Sequence, residues 1–271
     1  MSLLVNFHIS ITGKLLMMRY RSYLITFLSI CIVFGAWEIA GRIPVSYAFP
    51  TFTETIAAFW ALLIKGTLFV AYFETLKPLV VGVLISAFVG IGIGLAIGLS
   101  RMSDWLLSPI FVVMQTAPLA ALIPLLIMIY GIGLTSKVAV VLIMAMPVIV
   151  LNTGSAVSNT PASMVEMARS FQGSKRDIIF KIILPAASPI IFAGLRLGVS
   201  AGFIGAVLAE LKITPTGVGD IITFSRSIAD YPSMYAAIMS IILLAVIFLQ
   251  VLERMEILLF KGRGRGHASE E

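Results

Sequence analysis

The chain is poor in the side chains that carry most chemistry. It holds one cysteine, Cys31, and two histidines, His8 and His267, in 271 residues. A lone cysteine excludes any disulfide within the chain. Two histidines near opposite termini leave no His/Cys set with the spacing of a structural or catalytic metal site. Charge is scarce as well: Asp, Glu, Lys and Arg make up 12% of residues, against about 25% in soluble domains. No G-x-x-x-x-G-K-[ST] stretch occurs, so the chain has no phosphate-cradling loop of its own.

What is present is apolar: 59% of residues are hydrophobic and the mean hydropathy is +1.06. An all-α integral membrane fold follows. A helix needs about twenty apolar residues to cross a bilayer core, and six segments approach this: 23–40, 79–99, 110–130, 138–157, 190–209 and 235–252. No small-x-small cleavage site follows the first, which reads as an uncleaved span. The expected organisation is an N-terminal segment 1–22, one transmembrane domain 23–258 with a polar loop 158–187, and a basic tail 259–271.

Six spans put both termini on one side. With that side cytoplasmic, the inner loops hold Lys14, Arg19, Arg21, Arg101, Arg169, Lys175, Arg176, Lys181, Lys261, Arg263 and Arg265. The outer loops hold Arg42, Lys65, Lys77, Lys137, Lys212 and Arg226. The inner excess predicts cytoplasmic termini by the positive-inside rule. The net charge of +6 is then a matter of topology and requires no nucleic acid.

Two spans carry small residues every fourth position: Gly82, Ser86, Gly90, Gly94 and Gly98, then Gly194, Gly198 and Gly202. This spacing aligns them on one helix stripe, where backbones approach closely. The stripe serves bundle packing, or a helix that slides against its neighbour. Pro118, Pro124 and Pro147 predict kinks.

The loop contains a charged arm, E-M-A-R-S-F-Q-G-S-K-R-D-I-I-F-K-I-I-L-P, over 166–185. It reads as two short helices. Thr160-Pro161 is one candidate start and Ser163 with Glu166 another. Met164, Met167, Ala168 and Phe171 fall on one face, with Glu166, Arg169 and Ser170 opposite. Gly173 is expected to end the first helix in the left-handed conformation. Ser174 caps the second, with Asp177 at the favourable end of its dipole. Leu184-Pro185 is expected to stop it. A helix of about ten residues does not stand alone in water, so the Met/Phe face needs a cover. That cover is either the protein's own helix ends and the lipid surface, or a cytoplasmic partner whose groove accepts flexible Met side chains.

Within the spans, polar groups are functional candidates. Arg196 lies about 9 Å into the fifth span. It attracts an anionic substrate, or it snorkels or pairs with a neighbouring helix. Glu38 and Glu210 sit near outer span ends, where solvated or paired carboxylates are ordinary. Gln115, Thr116 and Asn152 line a cavity or bond across helices. Met114, Met144, Met146 and Phe203 form an apolar gate or simply pack. An ion-coupled secondary carrier would want buried carboxylates and inverted repeats in the central spans, and neither is evident.

Glu166-Met167-Ala168 and Ile182-Ile183-Leu184-Pro185 resemble the Glu-Ala-Ala loop of permease subunits of binding-protein-dependent ABC importers. In that pattern Glu166, Ala168, Ile182 and Leu184 fall in register, Met167 replaces an alanine, and Gln172 stands at the glycine position, with Gly173 one place late. Pro185-Ala186-Ala187-Ser188-Pro189, Gly194-Leu195-Arg196-Leu197-Gly198, Ala209-Glu210 with Gly217-Val218-Gly219-Asp220-Ile221-Ile222, and Tyr130-Gly131-Ile132-Gly133 are similar to the nitrate/sulfonate/taurine branch.

The resemblance implies a six-helix type I importer permease in a bacterial inner membrane, non-catalytic, with no cofactor of its own. Its partners would be a second permease copy, two cytoplasmic ATPases that bind ATP and Mg, and an extracytoplasmic binding protein. Met164, Glu166, Met167, Ala168, Phe171, Gln172, Gly173, Leu184 and Pro185 would couple to the ATPase. The substrate implied is a small anion such as a sulfonate, taurine or nitrate; a pyrimidine vitamin precursor or an aromatic carboxylate is the alternative.

Overall fold

The computed structural model describes residues 24–43, 46–213 and 216–260, with side chains through Leu258. The expected N-terminal segment 1–22 and positions 261–271 of the expected tail lie outside the described residues. All described regular structure is helical. The long elements are α1 (Leu24–Arg42), α3 (Thr67–Leu99), α6 (Leu134–Ser158), α9 (Leu184–Lys212) and α11 (Tyr231–Phe260). Shorter ones are α2 (Phe52–Ile64), α4 (Arg101–Thr116), α5 (Leu119–Tyr130), α7 (Ala162–Ser170), α8 (Lys175–Asp177) and α10 (Val218–Ser227).

The small-residue stripe decides how the centre is built. A Cβ at Gly82 would lie 2.6 Å from Val141, one at Gly90 3.1 Å from Ile149, one at Gly94 2.5 Å from Thr153 and one at Gly98 2.5 Å from Val157. Each contact joins residues 59 apart in sequence, so α3 and α6 run parallel in a constant register. Gly194 meets Asn152, Gly198 meets Ile149 and Gly205 meets Met144, in descending order. So α9 runs antiparallel to α6, and Gly202 brings it against Val83 and Leu79 of α3 as well. Val140, Val141, Ala145, Ile149 and Val150 of α6 are fully buried, Val140 against α5 and α9 and Val150 against α3 and α4.

Parallel α3 and α6 require a return crossing between Leu99 and Leu134, and α4 with α5 supplies it. The expected span 110–130, with kinks predicted at its prolines, is a pair of helices bent by 102°. The break falls at Ala117-Pro118, since the residue before proline is pushed to an extended conformation, here ψ 137° at Ala117. Another boundary also shifts. The expected span 79–99 begins twelve residues earlier, at Thr67. Glu74 and Lys77 pair one turn apart on the surface, which lets the helix run through them and past buried Pro78. At 1.5 Å per residue these 33 residues reach about 50 Å, well beyond a bilayer core of about 30 Å.

At the end of the bundle where α3 and α6 begin, α2 starts with a capping box between Thr51 and Glu54. Trp37 Nε1 donates to the Pro50 carbonyl at 3.1 Å, and Trp37, Phe49, Phe52 and Tyr235 stack around that turn, joining α1 and α2 to α11.

Gly94→Leu tests the central register. A side chain there meets Thr153 and the Val150 carbonyl, 2.5 and 2.8 Å from the new Cβ. The expected outcome in detergent unfolding is a loss of at least 1–3 kcal/mol, the usual order for overpacking; Gly92→Leu, where a Cβ meets nothing within 4 Å, is expected to change stability little.

Candidate functional site

The arm leaves α6 at Ser158 and returns into α9. Neither expected cap forms on α7: Pro161 itself occupies the N-cap position, with no side-chain hydrogen bond there. The apolar residues divide into two stripes. Val165 and Ala168 pack on the cluster of Ala156, Val157, Ile178 and Ile183. Met164, Met167 and Phe171 are 44%, 53% and 82% exposed. Ala168 therefore belongs to the seated side, apart from Met164, Met167 and Phe171, whose face it was expected to share. Glu166 is exposed beside that open stripe.

The turn after α7 resolves the displaced glycine. Gly173 N–H donates to the Ala168 carbonyl at 3.0 Å and Gln172 N–H to Arg169 at 2.9 Å, the two bonds of a Schellman motif. In that motif the left-handed residue is the first after the cap. It is Gln172, with φ 56°, and Gly173 is not in a positive-φ conformation. Gly173 is needed for a different reason: a Cβ there would lie 2.9 Å from the Ala168 carbonyl oxygen. The expectation that Gly173 supplies the left-handed turn is thus corrected by one residue.

Ser174 caps α8 as expected, accepting from Asp177 N–H. The helix does not stop at Leu184-Pro185. Ile178–Ile183 form a π-helical stretch that leads directly into α9, with Leu184 N–H bonded to the carbonyl of Ile179, five residues back. A proline in an α-helix clashes with the carbonyl four residues earlier. The wider turn relieves that clash, so Pro185 sits inside a continuous helix. Leu184 packs half-buried against the same cluster that seats α7.

At the opposite end a polar network was legible only in part. Glu210 is 2% exposed, not solvated at a span end. Its Oε2 accepts from Thr75 Oγ1 at 2.9 Å and from Gly219 N–H at 3.0 Å. Val218 N–H donates to Thr75 Oγ1 at 3.1 Å. One carboxylate thereby fastens the start of α10 to α3 and α9. Gly217 and Gly219 are required by this close approach, since a Cβ on either would meet Glu210 at 2.0 and 2.5 Å. Lys137, expected in an outer loop, is 4% exposed and donates from Nζ to Thr216 Oγ1. Thr75, Lys137 and Thr216 carry no sequence signal beyond being polar residues at the margin of a span.

The remaining membrane candidates fall into separate surroundings. Arg196 Nη1 lies 3.6 Å from Glu253 and 3.9 Å from Glu256 on α11. Phe203 is buried edge-to-face on Phe248, with centroids 5.6 Å apart. Met144 packs against Gly205. Met114 and Met146 pack on Ile97, Phe111 and Val150. Asn152 Nδ2 donates to the Val148 carbonyl of its own helix, and Thr116 to Val112 and Val113. Gln115 and Thr116 are exposed beside the break between α4 and α5. Among the described residues no group of three His, Cys, Asp or Glu side chains gathers as a metal site.

Two substitutions separate the roles in the turn. Gln172→Gly relieves a left-handed residue at a cost of about 1 kcal/mol and is expected to increase amide protection across α7 in hydrogen exchange. Gly173→Ala is expected to decrease it. At the other end, Glu210→Ala leaves the Gly219 N–H and the Thr75 hydroxyl without their buried acceptor. Amide exchange at 217–219 is expected to accelerate by the equivalent of about 1–3 kcal/mol.

The family of binding-protein-dependent transport system inner membrane components matches residues 82–256, from the first glycine of the α3 stripe to the last turns of α11. An aliphatic sulfonates transport permease protein of Bacillus subtilis is 29% identical over 231 residues, 82% of this chain and 83% of that one. A nitrate import permease protein of Leptolyngbya laminosa is 28% identical over 219 residues, 78% of each. A formylaminopyrimidine transport permease protein of Halalkalibacterium halodurans is 26% identical over 84% of this chain and 91% of its own. In the solved MetNI methionine ABC transporter, captured facing inward, one chain shares the fold with a TM-score of 0.61 at 19% identity, over 73% of this chain and 95% of that chain. The match covers the central helices and the arm together, and the chain belongs to this family of inner membrane components as a permease subunit of an ABC importer.

Proposed function

We propose that the arm 160–185 seats in a groove of a cytoplasmic ATPase and transmits its motion to the spans. The observation that carries this is the open stripe of Met164, Met167 and Phe171 on a helix whose other side is fixed to the bundle by Val165 and Ala168. Three uncovered apolar side chains on a nine-residue helix suit a groove better than bulk water. Glu166 borders the stripe and adds a charge for recognition, while Leu184 and Pro185 belong to the rigid link behind it. The ATPase binds ATP and Mg; this chain performs no catalysis. A second permease copy completes the pathway, two ATPases drive it and an extracytoplasmic binding protein delivers the substrate. Termini in the cytoplasm of a bacterial cell, and a single transmembrane domain over 23–258, accord with the inner excess of basic residues.

For the substrate we infer a small anion, a sulfonate, taurine or nitrate. The support is likeness to relatives named for sulfonates and nitrate. Likeness to a formylaminopyrimidine permease over most of both chains favours a second reading, a pyrimidine vitamin precursor. Competition for uptake by taurine, nitrate and an aminopyrimidine separates the two.

The double variant Met167→Asp/Phe171→Asp places two charges on the open stripe without touching the seated side. It is expected to keep its helix content, to lose copurification with the ATPase and to reduce uptake to background. Unchanged copurification and uptake would sink the assignment of the arm. Uptake is also expected to stop on ATP depletion and to survive collapse of the proton gradient; the reverse pattern would point to an ion-coupled carrier.

A further inference from the structure

Beside the middle turns of α3 and α9, these two helices and α11 leave a cavity of about 190 Å³ between them. Its walls are Val83 and Ala87 of α3, Leu195 and Val199 of α9, and Leu252 and Met255 of α11, with Arg196 and Glu256 as its charged members. Val251, Met255 and Leu258 make the adjoining outer surface of α11 apolar and exposed. On α9, the exposed Leu197 and Ile204 lie about 80–100° around the helix from Arg196. This corner therefore opens on a different side from the exposed stripe of α9.

The charged rim is loosely tied. Arg196 Nη1 approaches Glu253 at 3.6 Å and Glu256 at 3.9 Å, beyond the roughly 2.7–2.9 Å of a charge-assisted hydrogen bond. The guanidinium carries five donors in a fork that suits a phosphate. Glu253 and Glu256 lie one turn apart on α11, and Arg254 falls about 100° away from Glu253 around that helix. One cation, two carboxylates and an apolar slot thus lie together on a membrane helix bundle.

We propose that this corner binds one phospholipid with a zwitterionic, ammonium-bearing headgroup. Its phosphate lies on Arg196, its ammonium between Glu253 and Glu256, and part of an acyl chain fills the cavity. An anionic headgroup would place its phosphate on Arg196 with no ammonium to meet the two carboxylates. A headgroup without N–H donors would leave those carboxylates without hydrogen bonds. The site needs only the membrane-spanning fold and goes beyond the transport reading, so its failure leaves that reading intact.

The test uses the full chain, delipidated in detergent and titrated with phosphatidylethanolamine, phosphatidylcholine or phosphatidylglycerol, with retained lipid counted by native mass spectrometry. Wild type is expected to retain phosphatidylethanolamine over both others by about fivefold, the worth of one interfacial charge. Arg196→Gln is expected to lose that retention. Glu253→Gln/Glu256→Gln is expected to gain phosphatidylglycerol, and a gain of this kind does not arise from misfolding. Equal retention of the three lipids by wild type, an Arg196→Gln protein that holds phosphatidylethanolamine as wild type does, or a double variant with unchanged preference would each overturn the site.

Discussion

The structure depends on how closely α3 approaches α6. Glycines of α3 lie on Val141, Ile149, Thr153 and Val157, with no room for a β-carbon at three of these four contacts. In lipid no hydrophobic effect drives one helix onto another, so the attraction comes from dispersion and close backbone approach. The contacts of positions 82, 90, 94 and 98 of α3 with 141, 149, 153 and 157 of α6 share one register. Because that register is parallel, it forces a crossing between the two helices, and the bent α4–α5 pair is the outcome. Gly194, Gly198 and Gly205 then bring α9 onto α6, and Gly202 brings it onto α3. The bundle centre is a valine-rich helix packed with two glycine-bearing helices that also touch each other.

Motion applied to the arm has a defined route into this centre. α7 is joined to the following turn by the Schellman bonds at Gln172 and Gly173, and the π-helical stretch leads from α8 into α9 without a loop. Val165 and Ala168 share a cluster with Ala156 and Val157 at the end of α6. A push on Phe171 thus reaches α6 through packing and α9 through a continuous helix. A π-turn at this position is a place where helical register can change by one residue, and such bulges recur at functional sites.

Much of this was legible in the residues. Hydropathy identified the apolar segments, and the four-residue glycine spacing marked the stripes that pack. What escaped was local competition between rules. Pro185 reads as a stop because an α-helix cannot accept it, but a wider turn can. Gly173 reads as the left-handed residue because glycine usually is, yet the cap geometry assigns that conformation to Gln172, the position where the resembling pattern has glycine. Pro118 was read as a kink in one span, and the chain turns by 102° there. Ala168 reads with the methionines on a helical wheel, whereas the seat formed by α6 and the π-turn claims its side of the helix. Glu210 was visible as a polar residue, but its partners Thr75 and Gly219 are 135 and 9 residues away. No pattern within a single helix announces such a pair.

The two ends of α9 are tied by different chemistry. At its C-terminal end the Glu210 carboxylate holds the start of α10 by directed hydrogen bonds in a buried setting, where an unpaired donor is costly. Geometry of that kind tolerates little displacement before its bonds are lost. At the other end α9 rests on apolar contacts, Ala187 and Ile191 with Ala156 and Val157 of α6, and nearer its middle Gly194 and Gly198 lie on α6 with no room for a β-carbon. A displacement that enters through the arm therefore meets these apolar contacts first. The Glu210 end of α9 also bears Leu119, Ile123 and Leu126 of α5, which cluster with Ala209 and Ile213, so the helix that follows the 102° break rests on the firmly tied end.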